Sequence, residues 1–311
     1  MKMIAVLLAA LLAPASAFRL TAASPIKTVS PRAPAPSLTT LPGPPALAVA
    51  CILPTCLGYW KNGYAVSYAY GGAMAACGLL TLPSTKGLAA LHACAYIFYG
   101  VRLNLFLLYR ELCLDESVHQ MVNRPADFKA RLKRTPVVLG CSLLYFCMAA
   151  PLRVTATAAT AGTSSAAAAL AVAASFAGFG LAALGDLVKS ICKKTQTSGQ
   201  VNGVTKDTLT KELVTAFPFN FLRHPNYTGE CLGWFASCAA AFSAAASAGA
   251  LKASLGWLFA SVVGTAGIFF VLMEAAGGLE KKQKEKYGSE PAYDAWVAST
   301  WAGPVLAKKT D

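Results

Sequence analysis

Long apolar stretches, broken by short polar connections, dominate the chain, and most of them are apolar around the whole helical circumference rather than along one stripe. From Ala46 onward seven such stretches predict helices, at 46–60, 64–82, 88–109, 136–156, 165–188, 229–248 and 254–279. A helix that crosses a bilayer needs about 20 mostly apolar residues, and a helix without a polar face is a buried or lipid-facing one. The pattern therefore predicts an all-α fold, a polytopic transmembrane helical bundle of six to seven spans, with 46–311 as one membrane domain. The first stretch is the shortest. Thr155 to Ala174, rich in Ala, Thr and Ser, is split into a turn at Thr155 to Ser165 followed by a helix whose small residues permit close packing.

Seven spans place successive connections on alternate sides, and the distribution of Lys and Arg is an independent check. The connections after the third and fifth spans and the tail after the seventh each hold about six basic residues, while the opposite side has little beyond Lys86, Arg153 and Lys252. That asymmetry is the one the positive-inside rule produces. It puts the polar loops and an amphipathic C-terminal tail on one face. The net charge of +13 is accordingly topological; no nucleic-acid-binding pattern accompanies it, and no nucleic-acid partner is expected. With 56% hydrophobic and 13% charged residues, the chain needs lipid to cover its apolar surface.

Before the first span, Met1 to Ala17 reads as a signal peptide: Lys2, an apolar run from Ile4 to Leu12, and small residues at Ala15 and Ala17. Residues 18–45 form a transit-like, Pro-rich linker with Arg19, Lys27 and Arg32 and no acidic side chain. Together they resemble the two-part presequence of plastids acquired by secondary endosymbiosis, which implies a plastid membrane; plain secretory routing to the endoplasmic reticulum is the alternative. Eight of the ten cysteines lie in apolar stretches, where Cys behaves as a small hydrophobe. Three histidines and no CxxC or HExxH leave no ligand set for a metal.

The densest chemistry is the run Arg223-His224-Pro225-Asn226-Tyr227-Thr228-Gly229-Glu230, set directly against an apolar span. Pro225 can begin a helix, because its missing N–H would be unpaired there. A cation, an imidazole, an amide, a phenol and a carboxylate then fall within about three turns, and ionisable groups at a membrane edge are costly unless used. This Arg-His-Pro-Asn-Tyr-x-Gly-Glu core resembles the steroid 5-alpha-reductase C-terminal-like membrane protein family. Leu279-Glu280-Lys281-Lys282-Gln283, Lys286-Tyr287-Gly288, Tyr293 and Thr300 are similar to that family's terminal motif. Asp186 and Lys189 after the fifth span, and Arg102-Leu103 in the third, match weaker signatures. The likeness covers roughly 90–311, with the reductase-like C-terminal part from about 165. Phe217-Pro218-Phe219 and Trp296 depart from the family pattern.

The resemblance implies NADPH-dependent reduction of a carbon–carbon double bond in a lipid or isoprenoid-type substrate drawn from the bilayer. It implies Tyr227 as proton donor, Glu230 sharing that work or holding the nicotinamide amide, and His224 as the alternative acid. Arg223, Lys189 and Lys281 would meet phosphate oxygens, Asn226 and Tyr287 would orient the cofactor, and Asp186, Glu280 and Gly288 would complete its surroundings. No Gly-x-Gly-x-x-Gly is present, so the cofactor site is not a Rossmann domain. Isoprenylcysteine carboxyl methyltransferases share a similar Arg-His-Pro-x-Tyr. They supply the alternative of S-adenosylmethionine-dependent lipid or prenyl methyl transfer, with Arg102 holding a substrate carboxylate and Glu280 and His224 at the sulfonium cofactor. Arg102 also has a structural alternative, pairing with Glu111 or with carbonyls near a helix end. A non-catalytic membrane protein is the third reading.

Overall fold

A computed structural model describes residues 40–113, 127–162, 165–197 and 213–304. The described residues form eight principal helices: α1 Pro44–Thr55, α2 Tyr68–Thr81, α3 Gly87–Cys113, α4 Thr135–Thr160, α5 Ala166–Thr197, α6 Pro225–Ser247, α7 Leu255–Tyr287 and α8 Pro291–Ser299. Short helical turns at Leu57–Trp60, Asn62–Ala65, Leu82–Ser84 and Phe128–Leu132 join some of them. No strand occurs among the described residues; one isolated parallel bridge links Leu222 to Trp301. The expected signal peptide at 1–17 and nearly all of the 18–45 linker lie outside the described residues.

The bundle exposes large apolar side chains and buries ionisable ones within an otherwise apolar core. Leu143, Leu170, Leu255 and Phe259 are largely exposed, while His92, Arg102, Asp186, His224 and Glu230 are buried. That inversion suits a bilayer as solvent, where polar groups must find partners inside the protein. Five segments are long and apolar enough to cross a membrane by length and composition: Gly63–Ser84, Gly87–Leu112, Phe128–Thr160, Ala166–Cys192 and Leu255–Tyr287. Of the seven stretches read from the sequence, the first is an apolar but shorter segment, Pro44–Trp60. The sixth, α6, carries its polar run at the N-terminus and then small residues, and it is packed among α4, α5 and α7. A helix shielded by its neighbours needs less apolar surface of its own.

Small residues set the spacing. A Cβ on Gly178 of α5 would meet the backbone of Gly229 and Gly233 on α6, and one on Gly100 of α3 would meet the backbone of Gly71 and Ala75 on α2. These close approaches bring α5 to α6 and α3 to α2, the packing that small residues permit in membranes. On α7, Gly264 lies against the backbone of Cys147 and Met148 on α4. Toward the basic ends of these two helices the contact gives way to a cavity.

The expected turn at Thr155 to Ser165 is shorter: α4 continues to Thr160, and Gly162, with φ +73°, makes the turn before α5. The threonines stay helical because their hydroxyls bond back into their own helix, Thr155 to the Leu152 carbonyl, Thr157 to that of Arg153 and Thr160 to that of Thr157. Thr155 Oγ1 also lies 2.9 Å from Nδ1 of buried His92, whose Nε2 is 2.9 Å from Ser237 Oγ. At the other end, α7 runs through the expected span end at 279 as far as Tyr287, and α8 folds back.

Candidate active site

Between α2, α3, α4, α5, α6 and α7 lies a chamber of about 1070 Å³. Its apolar wall includes Leu103, Phe106, Leu144, Ile268 and Leu272, and its polar wall includes Tyr70, Asp186, Asn226, Tyr227 and Glu230. Arg110, Lys189 and Lys286, from three different helices, line the end on the basic face. Gly140 on α4 and Val271 and Ala275 on α7 are lining residues exposed on the outer surface. Because these exposed lining residues belong to α4 and α7, the chamber reaches the outer surface as a cleft between those two helices.

A buried ionic cluster braces the polar wall. Arg102 Nη1 lies 2.7 Å from Asp186 Oδ2, and its Nη2 lies 3.4 Å from Glu230 Oε1. Tyr99 donates to Glu230 Oε2 at 2.8 Å and Tyr70 to the same oxygen at 3.4 Å, while the guanidinium sits 4.8 Å from the Tyr99 ring centroid. Arg102 and Tyr99 share a face of α3 at i and i+3, the spacing at which side chains on a helix meet. Arg102, read from the sequence as a substrate contact, stands behind the wall and not among the residues that line it. Its other expected partner, Glu111, is occupied by Lys61 at 2.9 Å, by Tyr64 at 2.6 and 2.8 Å and by Tyr68 at 2.8 Å.

Tyr227 and Glu230 follow on one face of α6 because Pro225 starts the helix as expected, with His224 as its N-cap. The Tyr227 side chain lines the chamber, and its hydroxyl has no hydrogen bond among the described residues. His224 does not line the chamber. It lines a second cavity of about 170 Å³, together with Leu213, Phe219, Arg223, Leu279, Lys282 and Gln283. The two cavities share Lys189, Asn226, Lys286 and Tyr287, so the smaller is an annex of the chamber on the basic face.

Several expected cofactor contacts are instead used to fasten the tail. Arg223 Nε donates to Glu280 Oε1 at 2.8 Å, and its Nη1 donates to the carbonyls of Val297 and Thr300, each at 2.8 Å. His224 Nε2 lies 2.7 Å from the same Glu280 oxygen. Arg223 N bonds the Trp301 carbonyl, Trp301 N bonds that of Phe221, and the Trp296 indole bonds that of Phe219. Thus a guanidinium satisfies the terminal carbonyls of α8, which helices otherwise leave unpaired. Tyr293, packed with Leu213 and Trp296, has its phenol pKa raised by burial. Glu280 lines neither cavity. Lys281 is 80% exposed, 3.9 Å from Glu285, and outside both cavities. Gly288 ends α7 with its N–H on the Lys284 carbonyl and also lies outside both.

Sequence reading assigns no role to Tyr70, Tyr99 or Arg110, and it marks Lys282, Gln283 and Lys286 as parts of the terminal motif without a role. Tyr99 was accessible as the i−3 neighbour of Arg102, and Lys282 and Lys286 as one i, i+4 face of α7; Tyr70 had no signal beyond being a phenol in an apolar run.

A protein-family profile described as Protein of unknown function (DUF1295) matches residues 60–300. The chain belongs to the DUF1295 family. No curated protein and no solved structure matches it. The family assignment covers α2 through α8, and therefore the chamber, its annex and the fastened tail.

Proposed function

We propose that this DUF1295 protein is a membrane-embedded oxidoreductase that uses NADPH to reduce a carbon–carbon double bond of a lipid or isoprenoid-type substrate. The observation that carries the reading is the two-ended chamber: cations at the basic face, a phenol and a braced carboxylate at its centre, and an apolar cleft toward lipid. The family is associated with steroid 5-alpha-reductase-like proteins, in keeping with the resemblance of the Arg223 to Glu230 run. The chamber volume stands just above the roughly 300–1,000 Å³ typical of small-molecule pockets, which suits a substrate beside one end of a cofactor.

The donor set fits the cofactor. Arg110, Lys189 and Lys286 supply positive charge for phosphate oxygens, and Asn226 offers an amide where the chamber and annex meet. NADPH supplies a hydride when bound. Tyr227 gives a proton to the other end of the reduced double bond, or to a conjugated carbonyl. Its hydroxyl is suited to this because no protein group among the described residues holds it. Glu230, held by Arg102, Tyr99 and Tyr70, is a fixed acceptor that orients the Tyr70 phenol on the chamber wall; it is a positioning residue more than a free acid. The walls of α3, α4 and α7 exclude water and hold the apolar part of the substrate.

The methyl-transfer alternative expected Glu280 and His224 at a sulfonium cation and Arg102 at a substrate carboxylate. Those groups are engaged with one another or with other side chains, and the cations at the chamber end would repel a sulfonium. The test is transfer of deuterium from 4-deuterated NADPH to a linear isoprenoid enal and a fused-ring enone, followed by mass spectrometry. Label in a reduced product, lost in Tyr227→Phe, is the expected result. Methylation of a lipid by S-adenosylmethionine, with no deuterium transfer, would overturn the proposal.

A further inference from the structure

The membrane side opposite the basic face has cations and no carboxylates. The first acidic residue of the sequence is Glu111, and none occurs in 128–185 or 231–273. Those stretches hold Arg153 on α4 and Lys252 in the connection from α6 to α7. Lys86 and Lys252 are exposed in turns between helices. Arg153 is different: its Nε and Nη1 are shielded from solvent and have no hydrogen-bond partner among the described residues. An ionisable group at membrane depth is costly unless its charge is met.

The surroundings of Arg153 point to lipid. Residues three or four apart share a helix face, and the stripe through Arg153 runs from Leu139, Leu143 and Phe146 on to Thr157 and Thr160. Leu139 and Leu143 are largely exposed, and Arg153 is partly so. It stands two turns before the end of α4 at Thr160, about 10 Å along the axis, a depth from which a long cationic side chain reaches the interface. Beyond it, the hydroxyls of Thr157 and Thr160 are folded back onto the carbonyls of Arg153 and Thr157. No bulky side chain on this stripe therefore separates the guanidinium from the bilayer surface.

We propose that Arg153 binds the headgroup phosphate of an anionic phospholipid in the leaflet opposite the basic face, with the acyl chains lying along Leu143 and Leu139. Turned outward, the guanidinium offers phosphate oxygens a planar fork of N–H donors. The headgroup supplies the negative charge that this side of the chain lacks, and Lys252 adds to the positive field that attracts it. The inference is independent of the reductase reading, because Arg153 lines neither the chamber nor its annex.

The test is native mass spectrometry of the full chain in detergent, titrated with phosphatidylglycerol or with phosphatidylcholine of the same acyl chains, whose choline neutralises its own phosphate. A charge-assisted hydrogen bond is worth about tenfold or more in affinity, so phosphatidylglycerol should be retained at about tenfold lower concentration than phosphatidylcholine. Arg153→Met should abolish that preference. Arg153→Lys, a gentler change that keeps the charge and loses the planar fork, should reduce it several-fold. Equal retention of the two lipids by the unaltered protein would overturn the proposal, as would an undiminished preference in either variant. Displacement of the bound phosphatidylglycerol by inorganic phosphate would identify a free-anion site and overturn the lipid assignment.

Discussion

Removing Arg102 tests the buried cluster on which the polar wall depends. In Arg102→Ala, Asp186 and Glu230, whose side chains are 9% and 8% exposed, lose their shared cation and face each other across a cavity. Breaking a buried pair in this way costs about 3–5 kcal/mol, because the remaining charge is uncompensated. Asp186→Ala should cost less, since the guanidinium keeps Glu230 at 3.4 Å and can shift toward it. Arg102→Met with Asp186→Leu should recover part of the loss, because apolar replacement of both partners is often near neutral. For a chain of this size about 2–4 °C of Tm follows each kcal/mol, so Arg102→Ala should unfold at least about 6 °C lower. The assay is thermal unfolding of the detergent-solubilised protein. Loss of under about 2 °C in Arg102→Ala, or additivity of the two single substitutions, would refute the reasoning.

Four further outcomes follow from the geometry. Tyr227→Phe should lower kcat by about 10²–10⁴, the range for a positioned general acid, with NADPH affinity measured by titration within about twofold of the original. Gly140→Trp should raise KM for long-chain substrates with little change in Tm, because an added Cβ meets nothing within 4 Å and the position faces the cleft; an unchanged KM would place substrate passage elsewhere. Gly178→Ala should destabilise by about 1–3 kcal/mol, as overpacking does, because its Cβ meets only α6 backbone, whereas Gly180→Ala, with nothing within 4 Å, should not; thermal unfolding compares the pair. Lys281→Ala should leave NADPH affinity unchanged, since the side chain is outside both cavities; a weakened titration would show that the basic face is used differently.

The helices were legible because lipid imposes a coarse rule: long apolar runs, basic residues on alternate connections, and Pro225 as a helix start. The polar run at 223–230 was legible as a locality, but its division of labour was not. Tyr227 and Glu230 face one cavity while Arg223 and His224, one turn earlier and before the helix proper, turn toward the tail; that split depends on where α8 packs. Arg102 was conspicuous for its charge, yet its partner lies 84 residues away on α5, and only packing of α3 against α5 and α6 selects Asp186 and Glu230 over the nearer Glu111. Lys281 and Lys282 are adjacent in sequence and about 100° apart around the helix, so a motif match could not tell the lysine outside both cavities from the one on the annex wall.

The most direct measurement is equilibrium binding of NADPH and S-adenosylmethionine to the purified protein, followed by the fluorescence of the nicotinamide and by calorimetry. Saturable NADPH binding with a fluorescence increase, as the ring leaves water for the chamber, and no competition by S-adenosylmethionine is the predicted result. Saturable S-adenosylmethionine binding with none of NADPH would contradict the account.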